Sequence, residues 1–221
     1  MALDVITKDC TQLNDAEFGE LADLCAESSG RYEAGLLSKL AEEWVLVTLV
    51  REGTHLRAFS FSTLERIGGT PAVLLGLVHV KRGARRNTFL NAVMSDNFRR
   101  ALMAFPDEDV LVGSRLLSAD GFEAYKALTD INPRPGHKAS GEERAWGRRL
   151  AKRFGVESGY DDKSFVVACD GSVPLGLDHE SLKPGEIDPD VAAQFDAVQA
   201  DEGGCLIAFG WTMAEDLLRY A

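Results

Sequence analysis

A junction between an apolar strand and an amphipathic helix constrains the fold of this chain more than any other stretch of its sequence. Residues 72–80 are an apolar run, residues 81–86 contain four cations, and residues 87–104 repeat apolar side chains at helical spacing. The pattern predicts a buried strand that passes through a basic loop into a helix covering a sheet.

The basic loop is a candidate site for an anion. It carries Lys81, Arg82, Arg85 and Arg86. The first amides of a helix lack partners and carry a partial positive charge, and arginine forks pair well with phosphate oxygens. The start of the helix therefore suits a diphosphate. The alternative is a solvated basic turn beside an ordinary strand–helix junction.

Composition narrows the classes of function. A net charge of −11 argues against general nucleic-acid binding, which needs an excess of lysine and arginine. The hydrophobic share of 45% and the charged share of 27% are typical of a globular protein. Because no apolar stretch reaches transmembrane length and the first residues lack a signal-peptide pattern, we expect a cytoplasmic protein without membrane contact.

The cysteines give no sign of a metal site. Cys10, Cys25, Cys169 and Cys205 are far apart, and no histidine lies near them at metal-ligand spacing. We expect reduced, mostly buried thiols and no bound metal.

Periodicity and capping residues predict the order of elements. The first part reads as a strand at 3–7, helices at about 14–25 and 32–42, strands at 44–50, 56–62 and 72–80, a helix at 87–104, a strand at 109–113 and a helix at 121–128. Asn14 or Asp15 is expected to cap the first helix, with Gly30 beyond its end.

The proline-rich loop at 132–136 is the predicted boundary between a domain at 1–135 and a C-terminal extension at 136–221 packed on it. In the extension we expect helices at 142–154, 188–198 and 212–219, and strands at 164–169 and 205–209.

The element order, and Val78-His79-Val80 followed by Arg85-Arg86-Asn87-Thr88-Phe89-Leu90, resemble the GCN5-related N-acetyltransferases. The resemblance covers roughly residues 1–135. It implies an α+β fold with a mostly antiparallel, twisted central sheet flanked by helices. In that family the amides of the turn hold the pyrophosphate of acetyl-coenzyme A, and a splayed strand holds its pantetheine arm. The cofactor-binding residues implied here are Val78, Val80, Arg85, Arg86, Asn87, Thr88, Phe89 and Leu90.

Within the family, the turn looks most like that of the enhanced-intracellular-survival-like branch. Leu90 matches the branch, whereas Thr88 stands where glycine is expected. Glycine lets the backbone approach a ligand closely. The threonine Cβ crowds a phosphate there, although its hydroxyl can donate a hydrogen bond.

A second segment of the family places a tyrosine near the coenzyme sulfur, where it protonates the leaving thiolate. Residues 118–128 resemble that segment, and Tyr125 occupies the position of the tyrosine. Ser118 and Gly121 replace the asparagine and alanine of the segment, and Thr129 and Asp130 replace its Gly-Phe pair. Tyr125 is therefore the candidate catalytic acid. The alternative is that Tyr125 packs one face of a surface helix.

No residue stands out as the base that deprotonates the amine. His79 is expected to point away from the face shared by Val78 and Val80, because side chains alternate along a strand. Glu65 is expected in an exposed loop, and the resemblance adds the terminal carboxylate of Ala221 as a third candidate.

Together these features predict an N-acyltransferase with acetyl-coenzyme A, or another acyl-coenzyme A, as co-substrate. Its acceptor is expected to be an amine of a small molecule or a protein, and a homodimer stays open. The alternative function is that of a catalytically inactive protein on the same scaffold, with a ligand-binding, regulatory or interaction role.

Overall fold

A computed structural model describes residues 2–27 and 32–221. The α-helices are α1 (Asp15–Ala26), α2 (Ala34–Ala41), α3 (Arg86–Ala104), α4 (Gly141–Arg153), α5 (Pro189–Ala193) and α6 (Ala214–Leu217). The strands are β1 (Leu3–Asp9), β2 (Leu46–Glu52), β3 (His55–Ile67), β4 (Thr70–Val80), β5 (Val110–Leu116), β6 (Thr129–Asn132), β7 (Val166–Val167), β8 (Leu177–Asp178) and β9 (Cys205–Thr212).

The strands form one mixed sheet in the order β1-β2-β3-β4-β8-β5-β9-β6, with β7 paired to β9. Strands β1 to β4 make an antiparallel meander, and β4 runs parallel to β5. Strand β9 lies antiparallel between β5 and β6. Helix α3 packs against β1 to β4, and α4 packs against β9. The predicted α+β fold, with a mostly antiparallel sheet flanked by helices, is confirmed.

The core lies at the centre of the sheet, where both faces are covered. Every residue of β5 is buried, and in β4 all residues after Thr70 are buried. Strands covered on both faces have continuous apolar runs rather than alternating ones. Strand β1, at the edge of the sheet, has no fully buried residue.

Helix α3 is fixed to the sheet by an apolar face and by one buried carboxylate. The face includes Phe89, Leu90, Val93 and Met94. The Asp96 carboxylate accepts hydrogen bonds from Thr7 at 2.5 Å, from Arg99 at 2.6 Å and from Arg100 at 2.8 Å. Burial raises the pKa of Asp96, but these donors outweigh it, and the pKa lies below its ordinary value. The bond from Thr7 thereby ties the middle of α3 to β1.

A β-bulge in β4, opposite β3, lies at the point where the pairing of β4 with β5 ends. In the register of β4 with β3, Gly76 is left unpaired between Leu75 and Leu77. Strands β4 and β5 pair directly only up to Leu75 and Ser114. A bulge bends its strand and increases the local twist, so the two parallel strands part beyond this point. We call the space between them the gap.

The chain beyond the predicted boundary at 132–136 contributes to the same sheet. Strand β8 lies in the gap, and β9 lies between β5 and β6. From β4 to β6, the strand order therefore alternates between residues 1–135 and residues 136–221.

The elements with strong periodicity or clear caps are confirmed. The helices predicted at 14–25, 32–42, 87–104 and 142–154 correspond to α1, α2, α3 and α4. Asn14 caps α1 and forms a capping box with Glu17. The expected position of Gly30 lies outside the described residues.

Several predicted extents were wrong; the strand predicted at 56–62, for example, is β3 and continues to Ile67. The helix predicted at 121–128 is a 3-10 helix at Ala119–Tyr125, because the chain must turn to begin β6 at Thr129. The strand predicted at 164–169 is only two residues long, since Phe165 has a φ of 63° that interrupts extended backbone. The helix predicted at 188–198 is α5, and after it the chain tightens into i to i+3 turns. The helix predicted from Thr212 starts later, because Thr212 pairs with Val110 in the sheet.

Candidate functional site

The candidate site is the open end of the gap, where β4 leads through residues 81–85 into α3. Past the bulge, the inner edge of β4 no longer pairs with β5, so its backbone groups need other partners. Val78, His79 and Val80 are all fully buried here. The cationic loop and the start of α3 lie at the same end, so the structure brings the predicted strand edge and the predicted anion site together.

Residues 176–181 fill this gap, and we call them the inserted segment. Leu177 and Asp178 form β8, which pairs in parallel with Val78 and His79 of β4. Leu177 also pairs with Leu116 of β5. The Val78 amide donates to the Gly176 carbonyl at 3.2 Å. The strand edge that was predicted to hold pantetheine is thus bonded to the chain itself.

A buried ionic cluster holds the inserted segment to β4. Asp178 is 7% exposed; one of its oxygens lies 3.2 Å from His79 Nδ1 and the other accepts from Arg82 at 2.5 Å. Burial raises the pKa of Asp178, but the contacts with His79 and Arg82 outweigh it and hold the pKa well below its ordinary value. Asp178 is therefore a carboxylate at neutral pH.

The cations of the loop are paired with groups of the protein. Lys81 contacts Glu27, and Arg85 contacts Glu52. Arg86 donates to the Ser181 carbonyl at 2.5 Å and lies 3.4 Å from a Glu180 oxygen. An incoming diphosphate would have to replace these partners.

The first turn of α3 has no side-chain cap, but part of its backbone is already bonded. The Arg86 amide donates to the Gly83 carbonyl at 3.2 Å, and the Phe89 amide donates to the Arg85 carbonyl at 3.1 Å. Thr88 is exposed, while Phe89 and Leu90 are buried in the core. Thr88 therefore does not plug the gap, in spite of its Cβ.

Asn87 connects the first turn of α3 to the inserted segment. Its side-chain oxygen lies 3.1 Å from His179 Nε2, and its amide nitrogen lies 3.4 Å from Glu123. The pKa of His179 is lowered to about 4, chiefly by burial and then by the charge of Arg82, against the opposite effect of Glu123. His179 is thus neutral at pH 7, so Nε2–H can donate to Asn87.

Tyr125 lies in the core. It is 0% exposed; its hydroxyl donates to the Ala208 carbonyl at 2.9 Å and lies 2.8 Å from the Ser114 hydroxyl. Burial raises its pKa above the ordinary value, although the contact with Ser114 works against this. Tyr125 therefore ties the 3-10 helix to β5 and β9 in this conformation.

The three base candidates lie in different places. His79 is fully buried and its ring packs against Tyr32 and Phe59. The expectation of an exposed loop at Glu65 was wrong: Glu65 is half-buried in β3, where it pairs with Arg153 at 2.8 Å. Ala221 lies beside the middle of α3, away from its first turn.

A cleft of about 450 Å³ opens beside the inserted segment, between the 3-10 helix and residues 181–191. Its charged lining consists of Asp120, Glu123, Lys126, Lys183, Glu186 and Asp188. Carboxylates outnumber lysines, so the charge of the cleft does not favour a diphosphate.

In the described conformation the site does not fit an acyl-coenzyme A. The gap is filled, the Val78 amide is bonded, and the arginines of the loop have protein partners. Sequence reasoning missed the inserted segment because a two-residue strand has no periodicity. Its signal in the sequence is faint: one apolar residue between Gly176 and the charged residues 178–180.

Two further observations bear on the expected properties of the chain. Among residues 2–27 and 32–221, no helix combines the length and apolar character needed to span a bilayer. Cys10, Cys25 and Cys205 are buried and Cys169 is partly exposed, and all four carry thiols.

No family model matches the chain, and no curated protein matches it. Among solved structures it is similar to the aminoglycoside 6'-N-acetyltransferase from Enterococcus faecium, with 11% identity over 95% of this chain and 97% of that one and a TM-score of 0.43. An acyl-CoA N-acyltransferase from Pseudomonas aeruginosa has 18% identity over 60% and 93%, with a TM-score of 0.42. An aminoglycoside 6'-acetyltransferase type Ii has 15% identity over 58% and 86%, with a TM-score of 0.42. These similarities do not establish a family, and they give no support to the enhanced-intracellular-survival-like branch.

Proposed function

We propose that this chain is an N-acyltransferase that takes an acyl-coenzyme A as co-substrate and an amine as acceptor. One arrangement supports the proposal: two parallel strands part at the Gly76 bulge, and one of them leads through a cationic loop into a helix. Parted strands offer edge N–H and C=O groups to an extended chain with amides, which describes pantetheine. The start of α3, with arginines beside it, suits a diphosphate.

We propose acetyl-coenzyme A as the co-substrate, a small molecule or a protein as the source of the amine, and the cytoplasm as the location. Val78 and Val80 are proposed for the pantetheine arm, and Arg85, Arg86 and the first turn of α3 for the diphosphate. The inserted segment has to leave the gap for these residues to act.

Binding of acetyl-coenzyme A to the full chain tests the proposal. We expect isothermal titration calorimetry to detect binding, and we expect Arg85→Ala to weaken it about tenfold, because a charge-assisted contact to phosphate is lost. Arg85 is preferred to Arg86 for this test because Arg86 also holds the inserted segment.

Arg219→Ala is the matched control for the loss of one arginine. Its guanidinium is largely exposed and pairs with Asp216 in the last turns of the chain. Equal weakening by both substitutions would show a general charge effect and reject the loop as the diphosphate site. If millimolar coenzyme bound neither the wild type nor a variant with an open gap, the proposed function would be wrong.

Tyr125→Phe tests both roles of that residue. We expect the free energy of unfolding to fall by about 1–3 kcal/mol, because the buried Ala208 carbonyl and Ser114 hydroxyl lose their partner. Urea unfolding measures this loss. Turnover per folded molecule then decides the proposed catalytic role: a fall of about 10²-fold supports it, and unchanged turnover removes Tyr125 from the mechanism.

Tyr160→Phe is the control for Tyr125→Phe. The Tyr160 hydroxyl is buried without a hydrogen-bond partner in the described part of the chain. Its removal is expected to change the free energy of unfolding by less than about 0.5 kcal/mol, since no bond is lost.

A second candidate function is a non-catalytic protein on this scaffold. The observation that favours it is the self-bonded state of the gap, in which Val78, Arg82 and Arg86 all have partners in the inserted segment. Under this candidate the segment is a permanent strand of the sheet, and the full chain binds no acyl-coenzyme A under any condition in which it stays folded.

A further inference from the structure

We infer that the inserted segment is a displaceable plug, which closes the gap in the resting protein and leaves it when an acyl-coenzyme A binds. The inference rests on the proposed function and adds a regulation of the same site. The plug is residues 176–181, and only Leu177 and Asp178 are in a strand. The flanking residues 170–176 and 179–183 have no helix or strand. Short segments with few ladder bonds are the ones that open at low free-energy cost.

The polar contacts of the plug are the ones that the proposed ligand needs. The Gly176 carbonyl takes the Val78 amide, as a pantetheine carbonyl would. The Ser181 carbonyl takes Arg86, as a diphosphate oxygen would. The Asp178 carboxylate takes Arg82, a further cation of the same loop. Because the same donors cannot serve both, plug and ligand exclude each other, and each lowers the apparent affinity of the other.

The plug does not provide hydrogen-bond acceptors for all the buried N–H groups of Arg82 and Arg86. Within residues 2–27 and 32–221, Arg82 Nη1 and Arg86 Nε are buried without a hydrogen-bond partner, and so is His179 Nδ1. Native proteins leave few such groups, and each weakens the state that buries it. The closed state is therefore a poorer partner for the loop than a ligand with several acceptor oxygens.

The chain is held to the rest of the protein just before the plug, where the Pro174 carbonyl accepts from the Tyr32 hydroxyl at 2.8 Å. After the plug, the Lys183 amide donates to the Ser181 hydroxyl at 3.1 Å, which is a local turn contact. Between these points the backbone passes so close to β5 that a Cβ on Gly176 would lie 2.4 Å from the Arg115 carbonyl oxygen.

Gly176→Ala is therefore the variant that tests the plug. The added methyl meets backbone, which cannot move aside as a flexible side chain can, so the plug cannot seat in the gap. We expect hydrogen exchange of the Val78 amide, measured by NMR, to become at least about tenfold faster. We expect calorimetry to show acetyl-coenzyme A binding at least about tenfold tighter than to the wild type.

Gly185→Ala is the matched control. Gly185 follows the plug closely in sequence, and a Cβ there would meet no atom of the described residues within 4 Å. It should leave both the Val78 exchange rate and the affinity as in the wild type. Leu177→Ala is the second variant, for the case that Gly176→Ala does not fold. Leu177 is 1% exposed in the gap, and its truncation weakens the plug by loss of packing. Both plug variants keep every charge, so a tighter complex cannot come from removal of a repelling carboxylate.

The possible outcomes distinguish failure of the plug inference from failure of the proposed function. Faster Val78 exchange together with tighter binding supports both. Unchanged Val78 exchange in the folded plug variants overturns the plug. Faster exchange with an unchanged, measurable affinity also overturns it, while the proposed function stands. Faster exchange with no binding to any variant leaves an open gap that acyl-coenzyme A does not use, which rejects the proposed function.

Discussion

Gly76→Ala is expected to lower the free energy of unfolding by about 3 kcal/mol. A Cβ on Gly76 would lie 2.0 Å from Cε2 of Trp44. The Trp44 ring is 7% exposed and is held between the Phe154 ring and the Arg153 guanidinium, at 6.2 and 5.4 Å, so it has no free space to enter. Inserting a methyl into a packed core costs about 1–3 kcal/mol, and more where the neighbour cannot shift. Urea unfolding measures the effect.

Two comparisons assign this loss to the Trp44 contact. Gly35→Ala, in α2, adds a Cβ that meets no atom of the described residues within 4 Å. It should stabilise the protein by about 0.5–1 kcal/mol through backbone entropy. In a Trp44→Leu background the cost of Gly76→Ala should fall below about 1 kcal/mol, because the clashing ring is gone. If Gly76→Ala were as stable as Gly35→Ala, the backbone at the bulge would not lie against the indole.

Asp178→Asn is expected to lower the free energy of unfolding by about 2–4 kcal/mol. The carboxylate is nearly buried and balances the charge of Arg82. An amide keeps the shape but not the charge, and removing one partner of a buried ion pair leaves the other uncompensated. Because the pKa of Asp178 is lowered in the folded protein, its contribution is fully present above the unfolded pKa of about 3.9. The contribution is lost as the pH falls towards the folded pKa, so wild type and variant should converge in acid.

Glu186→Gln is the control for Asp178→Asn, since Glu186 pairs with Lys183 and both side chains are largely exposed. Its effect should stay below about 0.5 kcal/mol, as for most exposed pairs. If both substitutions gave the same small loss at neutral pH, Asp178 would be solvated, and the cluster with His79 and Arg82 would not hold the plug.

The sequence was sufficient for those parts of the fold that local patterns control. Apolar periodicity and the cap at Asn14 located α1, and the run at 72–80 located β4. The loop at 81–86 was correctly placed between β4 and α3. These elements depend on side chains within about twenty residues, which a periodicity window covers.

What the sequence did not reveal depends on contacts between distant residues. Nothing near Leu177 predicts that it pairs with both Val78 and Leu116, because two residues of strand have no period. Likewise, helical spacing around Tyr125 does not reveal that its hydroxyl donates a hydrogen bond to the Ala208 carbonyl. The charged loop was visible in the sequence, whereas the carboxylates that pair with it, from β2 and from the plug, were not.

The place of β9 in the sheet has a consequence for synthesis of the chain. Strand β5 is made early, yet Leu116 pairs with Leu206, about 90 residues later. Until β9 leaves the ribosome, β5 and β6 each keep an unsatisfied edge facing the other, and such edges recruit strands from other nascent chains. Premature termination anywhere between β6 and β9 thus leaves a polypeptide that is prone to aggregate, and a chaperone that shields these edges would act on this protein during that interval.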